Sequence, residues 1–375
     1  MSATLLLMSG GCGPAPEMDE EPVVPEGRAV DADVPAGTVH VPAFDLPPSA
    51  ALSSKARESI AASQGGGSAV GFPSVGDIET EQDYAKYVLS YRAGLDAAFA
   101  KPLADAVMNA FPVELHPAEI AGVPVEEFEP TGGIAPGNEN RVLINLHGGA
   151  FMAGAVYLGR VESAPIAALA RMRVVSVDYR QGHEHRFPAA SEDVAAVYQA
   201  LLERYPPANI GIYGCSAGGA LSAQAIAWFL DKGIPTPGAI GIFGSGSGVG
   251  SGDSRYFSAI ASGTAPPPAN EPQAPSRRGR FGYFSSISED DPLVYPIKDP
   301  ELLADFPPTL LITATRATDM SRAIETHRAL TRAGVEASLQ VFDGLGHCFI
   351  YQHDLPEAQD ANATIVRFFD RHLGR

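Results

Sequence analysis

A chain of 375 residues can bury a large core and fills one large domain or two modest ones. Its hydrophobic share of 45% and charged share of 19% are those of an ordinary globular protein rather than a fibrous or disordered one. With 44 acidic against 26 basic residues, a net charge of −18 and no basic stripe, a phosphate-binding nucleic-acid surface is excluded, and no apolar run approaches the roughly 20 residues that cross a bilayer.

The first element is unusual. "MSATLLLMSGGCGPAPEMDEE" sets a short apolar stretch and small residues before Cys12, then an acidic, proline-rich tract. It resembles the end of a bacterial lipoprotein signal, in which such a cysteine is lipidated, although no basic segment precedes it and Ser9 stands where leucine is usual. Two readings stand side by side: membrane attachment through Cys12, giving a periplasmic or membrane-anchored protein, or a plain disordered tail on a cytoplasmic one. Residues 1–48 are expected to be disordered or a tether on either reading.

Residues 49–112 form the next region. "PPSAALSSKARESIAAS" is a short helical stretch ending at "QGGGS", and "ETEQDYAKYVLSYRAGLDAAFAKPLADAVMNA" is a longer one with Tyr84, Tyr87, Val88, Tyr91 and Leu95 at helical spacing. The stripe is read as simple packing, of the kind that lies as a lid over something larger.

From about Val113 the rhythm changes. "RVLINLH", "RVVSVDY", "IGIYG", "GAIGIFG", "PPTLLITAT" and "ASLQVFDG" read as strands. Between and after them lie the helical stretches "SAPIAALARM", "SEDVAAVYQALLERY", "AGGALSAQAIAWFL", "SRAIETHRALTRAG" and "EAQDANATIVRFFDRHL". This alternation predicts a parallel sheet covered by helices on both faces, and "VLINL" and "TLLIT" are apolar enough to be buried on both sides. Residues 113–375 are taken as one α/β domain with an irregular insert at 244–296, whose glycines do not fit a dinucleotide-binding pattern.

Chemistry concentrates at three places. "GCSAG", Gly214 to Gly218, lies between a strand and a helix, so Ser216 is expected to project from a tight turn against the helix's backbone N–H groups. "LHGGAF" follows a buried strand, and the N–H groups of Gly148, Gly149 and Ala217 would together hold an oxyanion. "DGLGHCF" displays His347 late in the chain, where it can serve as a base to Ser216.

HGGAF, "SVDYR", "HRFPAA", GCSAGG, "FPPTLLI" and "DGLGHCF", in that order over roughly residues 80–373, resemble the hormone-sensitive-lipase-like family of α/β-hydrolases. The resemblance implies an α/β-hydrolase fold with a mostly parallel central sheet and an N-terminal helical cap. It also implies a cofactor-free, metal-free serine carboxylesterase acting on a small-molecule ester in the order serine, acid, histidine. The acid departs from the pattern: an aspartate is usual directly after Arg316, where Ala317 stands. Asp319 is the preferred carboxylate, Glu325 falling inside a predicted helix. A catalytically weak ligand-binding protein, or an amide or lactone hydrolase using the same residues, are the alternative readings.

Other residues receive structural readings. His183 and His185 lack a further cluster that would make them metal ligands; His147 is expected to brace the oxyanion loop; Asp178 and Arg186 fix loops. Cys12, Cys215 and Cys348 show neither CxxC spacing nor an even framework, so no disulfide is expected, and Cys215 and Cys348 are read as small packing residues beside the nucleophile and the base.

Overall fold

Strand β3, Val142–Leu146, is buried at every position, because its β-branched and leucine side chains point alternately into two apolar layers. The computed structural model describes residues 38–39, 41, 44–64, 78–248, 252–264 and 281–374; Cys12 and its surroundings lie outside them. Met1–Pro42 and Ala43–Arg375 are two compact units, and the second carries everything below.

The sheet has eight strands, in the order β1 (Val113–Ile120), β2 (Val123–Pro130), β4 (Arg173–Val177), β3, β5 (Ile210–Cys215), β6 (Ala239–Phe243), β7 (Thr309–Ala314) and β8 (Ala337–Phe342). The expected α/β fold is present, with β4, β5, β6, β7 and β8 joining β3 in parallel register. An antiparallel hairpin, β1 and β2, extends the other edge through β4. The sequence reading did not resolve this hairpin. Its turn residues, Ala121 and Gly122, both take positive φ (52° and 82°), the geometry that turns two twisted strands back on each other.

Helices cover both faces. On one lie α4 (Tyr157–Ala170) and the C-terminal helix Pro356–His372, whose Val161, Ile166, Ile365 and Phe369 pack with Leu143 and Val174. On the other, α5 (Ala189–Leu202) and α6 (Ala217–Lys232) supply Val194, Val197, Leu221 and Ile226 against Val142, Ile144, Ile210 and Ile240. Each fully buried aliphatic side chain of this kind contributes roughly 1.5–3 kcal/mol over its exposed state.

The N-terminal helices belong to the same compact unit. Helix α1 (Ser54–Gln64) is held to the start of the C-terminal helix by Ser53, whose backbone N–H and hydroxyl donate to Glu357 at 2.6 and 3.0 Å. Helix α2 (Glu81–Leu95) is capped by Thr80, whose hydroxyl accepts from the Asp83 N–H. It runs through a π-helical turn, Asp96–Ala100, into α3 (Lys101–Ala110). The tyrosine stripe is buried as its spacing predicts, with Tyr84, Tyr87 and Tyr91 stacked in succession.

Candidate active site

The G-x-S-x-G spacing has a direct steric cause. Between β5 and α6 the chain turns across the C-terminal end of β3, so a Cβ at either Gly214 or Gly218 would collide with the carbonyl oxygen of Leu146. Ser216 takes φ 59°, a left-handed conformation that costs a non-glycine residue about 1–3 kcal/mol and throws its hydroxyl out from the sheet edge.

His347 arrives from the loop after β8. Its Nε2 lies 2.9 Å from Ser216 Oγ and its Nδ1 2.6 Å from Asp319 Oδ1. Nδ1 therefore donates to the carboxylate, leaving Nε2 to accept the serine proton. Asp319 precedes the helix Met320–Arg332 and is almost wholly buried, and Thr313 at the end of β7 donates its hydroxyl to Oδ2 at 2.6 Å. Burial alone would raise the Asp319 pKa. The bond and charge of His347, with the Thr313 hydroxyl, instead hold it below the ordinary carboxylate value of 3.8.

Ser216, His347 and Asp319 thus stand in one hydrogen-bonded line, with Ala317 buried beside it at the place where an aspartate is usual. Glu325 is on the following helix.

The oxyanion loop differs from expectation in one respect. Gly148 N–H is not open to a ligand: it donates to Glu162 Oε1 at 2.9 Å. Among the described residues the N–H groups of Gly149, Ala150 and Ala217 donate to no acceptor. Gly149, at φ 121°, abuts the Ala153 carbonyl so closely that a Cβ has no room, and Ala150 and Phe151 follow at φ 58° and 55°. His147 lies behind this loop, stacked on Tyr179 at 4.3 Å, its Nδ1 donating to the Gly148 carbonyl at 2.7 Å. The Tyr179 hydroxyl in turn donates to the His147 carbonyl. Burial lowers the His147 pKa to about 4, the Gly148 bond opposing, so its imidazole is neutral.

The cysteine reading is corrected. Cys215 and Cys348 are joined in a disulfide with Cα atoms 6.3 Å apart. Turning Ser216 and His347 toward each other also brings together the residues that flank them, which linear spacing does not reveal.

Four further groups were not singled out from the sequence. Glu162, on α4, is buried beneath the site and accepts from Asn145, Gly148, Cys215 and Tyr351. A lone carboxylate on the apolar stripe of Leu158 and Ile166 was a legible signal. Thr313 is a second. Arg92 on α2 hydrogen-bonds the Met152 carbonyl just past the oxyanion loop and grips Glu184 with both terminal nitrogens. Tyr351 carried no mark that set it apart from a core aromatic.

His183 lies 3.4 Å from Glu184, and Arg186 reaches Glu81 and the His183 carbonyl. The Asp178 N–H donates to the Pro124 carbonyl. Among the described residues no group of three His, Cys, Asp or Glu side chains is arranged to hold a metal ion.

A family model described as alpha/beta hydrolase fold matches residues 143–351. A putative acetyl-hydrolase, LipR, of Mycobacterium tuberculosis is 30% identical over 259 residues, 68% of this chain and 79% of that protein. An acetyl-hydrolase of Streptomyces hygroscopicus is 28% identical, covering 60% and 73%. A crystallised esterase superposes with a TM-score of 0.71 at 28% identity over 90% of this chain and 99% of its own. Another, from the bacterial hormone-sensitive lipase family, superposes at 0.64 with 26% identity over 78% and 98%.

Proposed function

The chain belongs to the α/β-hydrolase family as one of its carboxylic ester hydrolases, and from that premise we propose that Ser216, His347 and Asp319 carry the reaction through an acyl-enzyme intermediate. The observation that carries this reading is the unbroken line of hydrogen bonds from Ser216 through His347 to Asp319. His347 Nε2 takes the Ser216 proton as Oγ attacks the ester carbonyl. The same imidazole then protonates the departing alcohol and activates the water that releases the acid. Asp319 keeps Nδ1 protonated and steadies the imidazolium.

The oxyanion is held by the N–H groups of Gly149 and Ala217, joined by Ala150, and not by Gly148, whose N–H is committed to Glu162. Residues 49–112 act as the cap, a reading supported by the grip of Arg92 on the Met152 carbonyl. Substrates are short- to medium-chain esters; the acetyl-hydrolases among the relatives favour the short end. The intact line to Asp319 speaks against a catalytically weak binding protein.

Hydrolysis of p-nitrophenyl esters by Ser216→Ala tests the assignment. Turnover should disappear while the variant melts as cooperatively as the parent protein; unchanged turnover overturns it.

A further inference from the structure

Acyl transfer, as drawn above, gives Glu162 nothing to do. Yet its side chain is buried below the site and takes four hydrogen bonds. Oε1 accepts from the Gly148 N–H at 2.9 Å and the Tyr351 hydroxyl at 2.6 Å. Oε2 accepts from Asn145 Nδ2 at 2.9 Å and the Cys215 N–H at 3.1 Å. Gly148 adjoins the oxyanion donor Gly149, Cys215 adjoins Ser216, and Tyr351 lies in the short turn that follows His347. One carboxylate is therefore bonded next to each of the three segments on which the reaction depends.

We infer that Glu162 is the positioning residue that holds the oxyanion loop, the nucleophile strand and the base loop in one frame. The inference rests on the assignment of Ser216 as nucleophile and extends it to a group that touches no substrate.

The donor set explains why a carboxylate occupies this place. An ionised carboxyl offers about four acceptor sites and no donor, which matches two backbone N–H groups, an amide and a phenol. A glutamine cannot match it. With its NH2 at the Oε1 position it opposes the Gly148 N–H, and at the Oε2 position it opposes the Cys215 N–H. Either way one catalytic segment loses its anchor.

The same donors set how the group titrates. Burial pushes the Glu162 pKa up to about 7, and the bonds from Tyr351, Asn145, Gly148 and Cys215 oppose that rise. The titratable groups around it are neutral: His147 on the oxyanion loop, Tyr179, Tyr213 whose hydroxyl donates to the Glu162 carbonyl, and Tyr351, which Tyr91 of α2 faces in turn. Protonation of Glu162 leaves a carboxylic acid among N–H donors, with only the Tyr351 hydroxyl able to turn round and accept. The frame should loosen as the group takes up its proton. Removing the Tyr351 hydroxyl takes away a bond that lowers the pKa, so Glu162 then protonates at higher pH.

The test uses the full chain and p-nitrophenyl acetate, with rates taken from about pH 5 to about pH 9, where acid-base groups of a hydrolase show themselves. Glu162→Gln should lower kcat on the order of ten- to a hundred-fold, as small misplacements of reacting groups do, with KM within about two-fold of the parent value. Tyr351→Phe should move the acid limb of kcat to higher pH whatever its plateau. Wild-type kcat in Glu162→Gln, or an acid limb in Tyr351→Phe that superimposes on the parent, overturns the inference. Where Glu162→Gln does not fold, the limb of Tyr351→Phe decides alone. Ser216→Ala runs beside them: residual turnover there breaks the nucleophile assignment, whereas an inactive Ser216→Ala with normal Glu162 and Tyr351 variants breaks only the role of Glu162.

Discussion

Asp319 meets His347 from two residues beyond Ala317, with Oδ1 2.6 Å from Nδ1 and Oδ2 bonded to Thr313. The carboxylate reaches the imidazole because the loop after β7 carries it to the start of the helix Met320–Arg332, while Ala317 turns back on the Ala314 carbonyl. Asp319→Asn should retain a cooperative melt and lose roughly three to four orders of magnitude in kcat, the cost of a wrong imidazole tautomer. Restoring an acid at the usual place should not help: Asp319→Ala combined with Ala317→Asp puts a carboxyl where 1% of the side chain meets solvent. Recovered turnover in that double variant would show that either position can orient the base.

The Cys215–Cys348 disulfide closes a loop across 133 residues of sequence. On a chain-entropy estimate such a closure stabilises the fold by about 5 kcal/mol. Urea titrations with and without a phosphine reductant should show a lower midpoint once the pair is reduced. Replacing both cysteines by alanine should abolish the response to reductant. An identical midpoint in both conditions, with free thiols verified by labelling, contradicts the expectation.

Acid should act on stability through two buried groups of opposite sense. His147 has its pKa depressed to about 4 from 6.5, so the unfolded chain gains a proton first and stability falls as the pH drops between those values. Glu162 has its pKa raised to about 7 from 4.5, so its contribution is fully present below 4.5 and is lost as pH rises through 7. Over the shared window the slopes oppose. Glu162→Gln removes one of them, and its midpoint should fall more steeply with acid than the parent's. Parallel curves would show that Glu162 does not titrate there. Asp319, depressed below 3.8, adds its own loss only at still lower pH.

Arg92 joins helix α2 to the segment beyond the oxyanion loop through the Met152 carbonyl, and to Glu184. Arg92→Ala should raise KM for esters and change the preference among acyl lengths, with a smaller effect on kcat, because it frees helix α2, part of the proposed cap, and leaves the reacting groups in place. Steady-state kinetics on an acyl-length series would reveal it; an unchanged profile would separate the helix from substrate binding.

Much of this was legible in the sequence for physical reasons. Strands buried on both faces carry unbroken apolar runs, so β3, β5 and β7 announced themselves, whereas β1, with Pro117 and mostly exposed side chains, carried no such mark. Ser216 was visible because the close passage over Leu146 demands glycine on either side. Gly148 reads as an open donor because glycine spacing shows where a backbone can approach a ligand, not which acceptor already occupies its N–H. That acceptor, Glu162, sits on α4, and the pairing of Cys215 with Cys348 joins residues 133 apart in the chain. Contacts of this range depend on how the strands are ordered, which no local pattern records.

The disulfide also alters how the chain can be dismantled. Residues 215–348 form a closed ring that contains all of α6 together with β6, β7 and β8. A machine that pulls a polypeptide through a narrow pore from either end meets, at the cystine, two strands where it expects one. Degradation by such a machine should therefore halt there until the bond is reduced, and leave a fragment whose length reports the end from which it was pulled. The link that flanks Ser216 and His347 is in this sense also a knot in the thread.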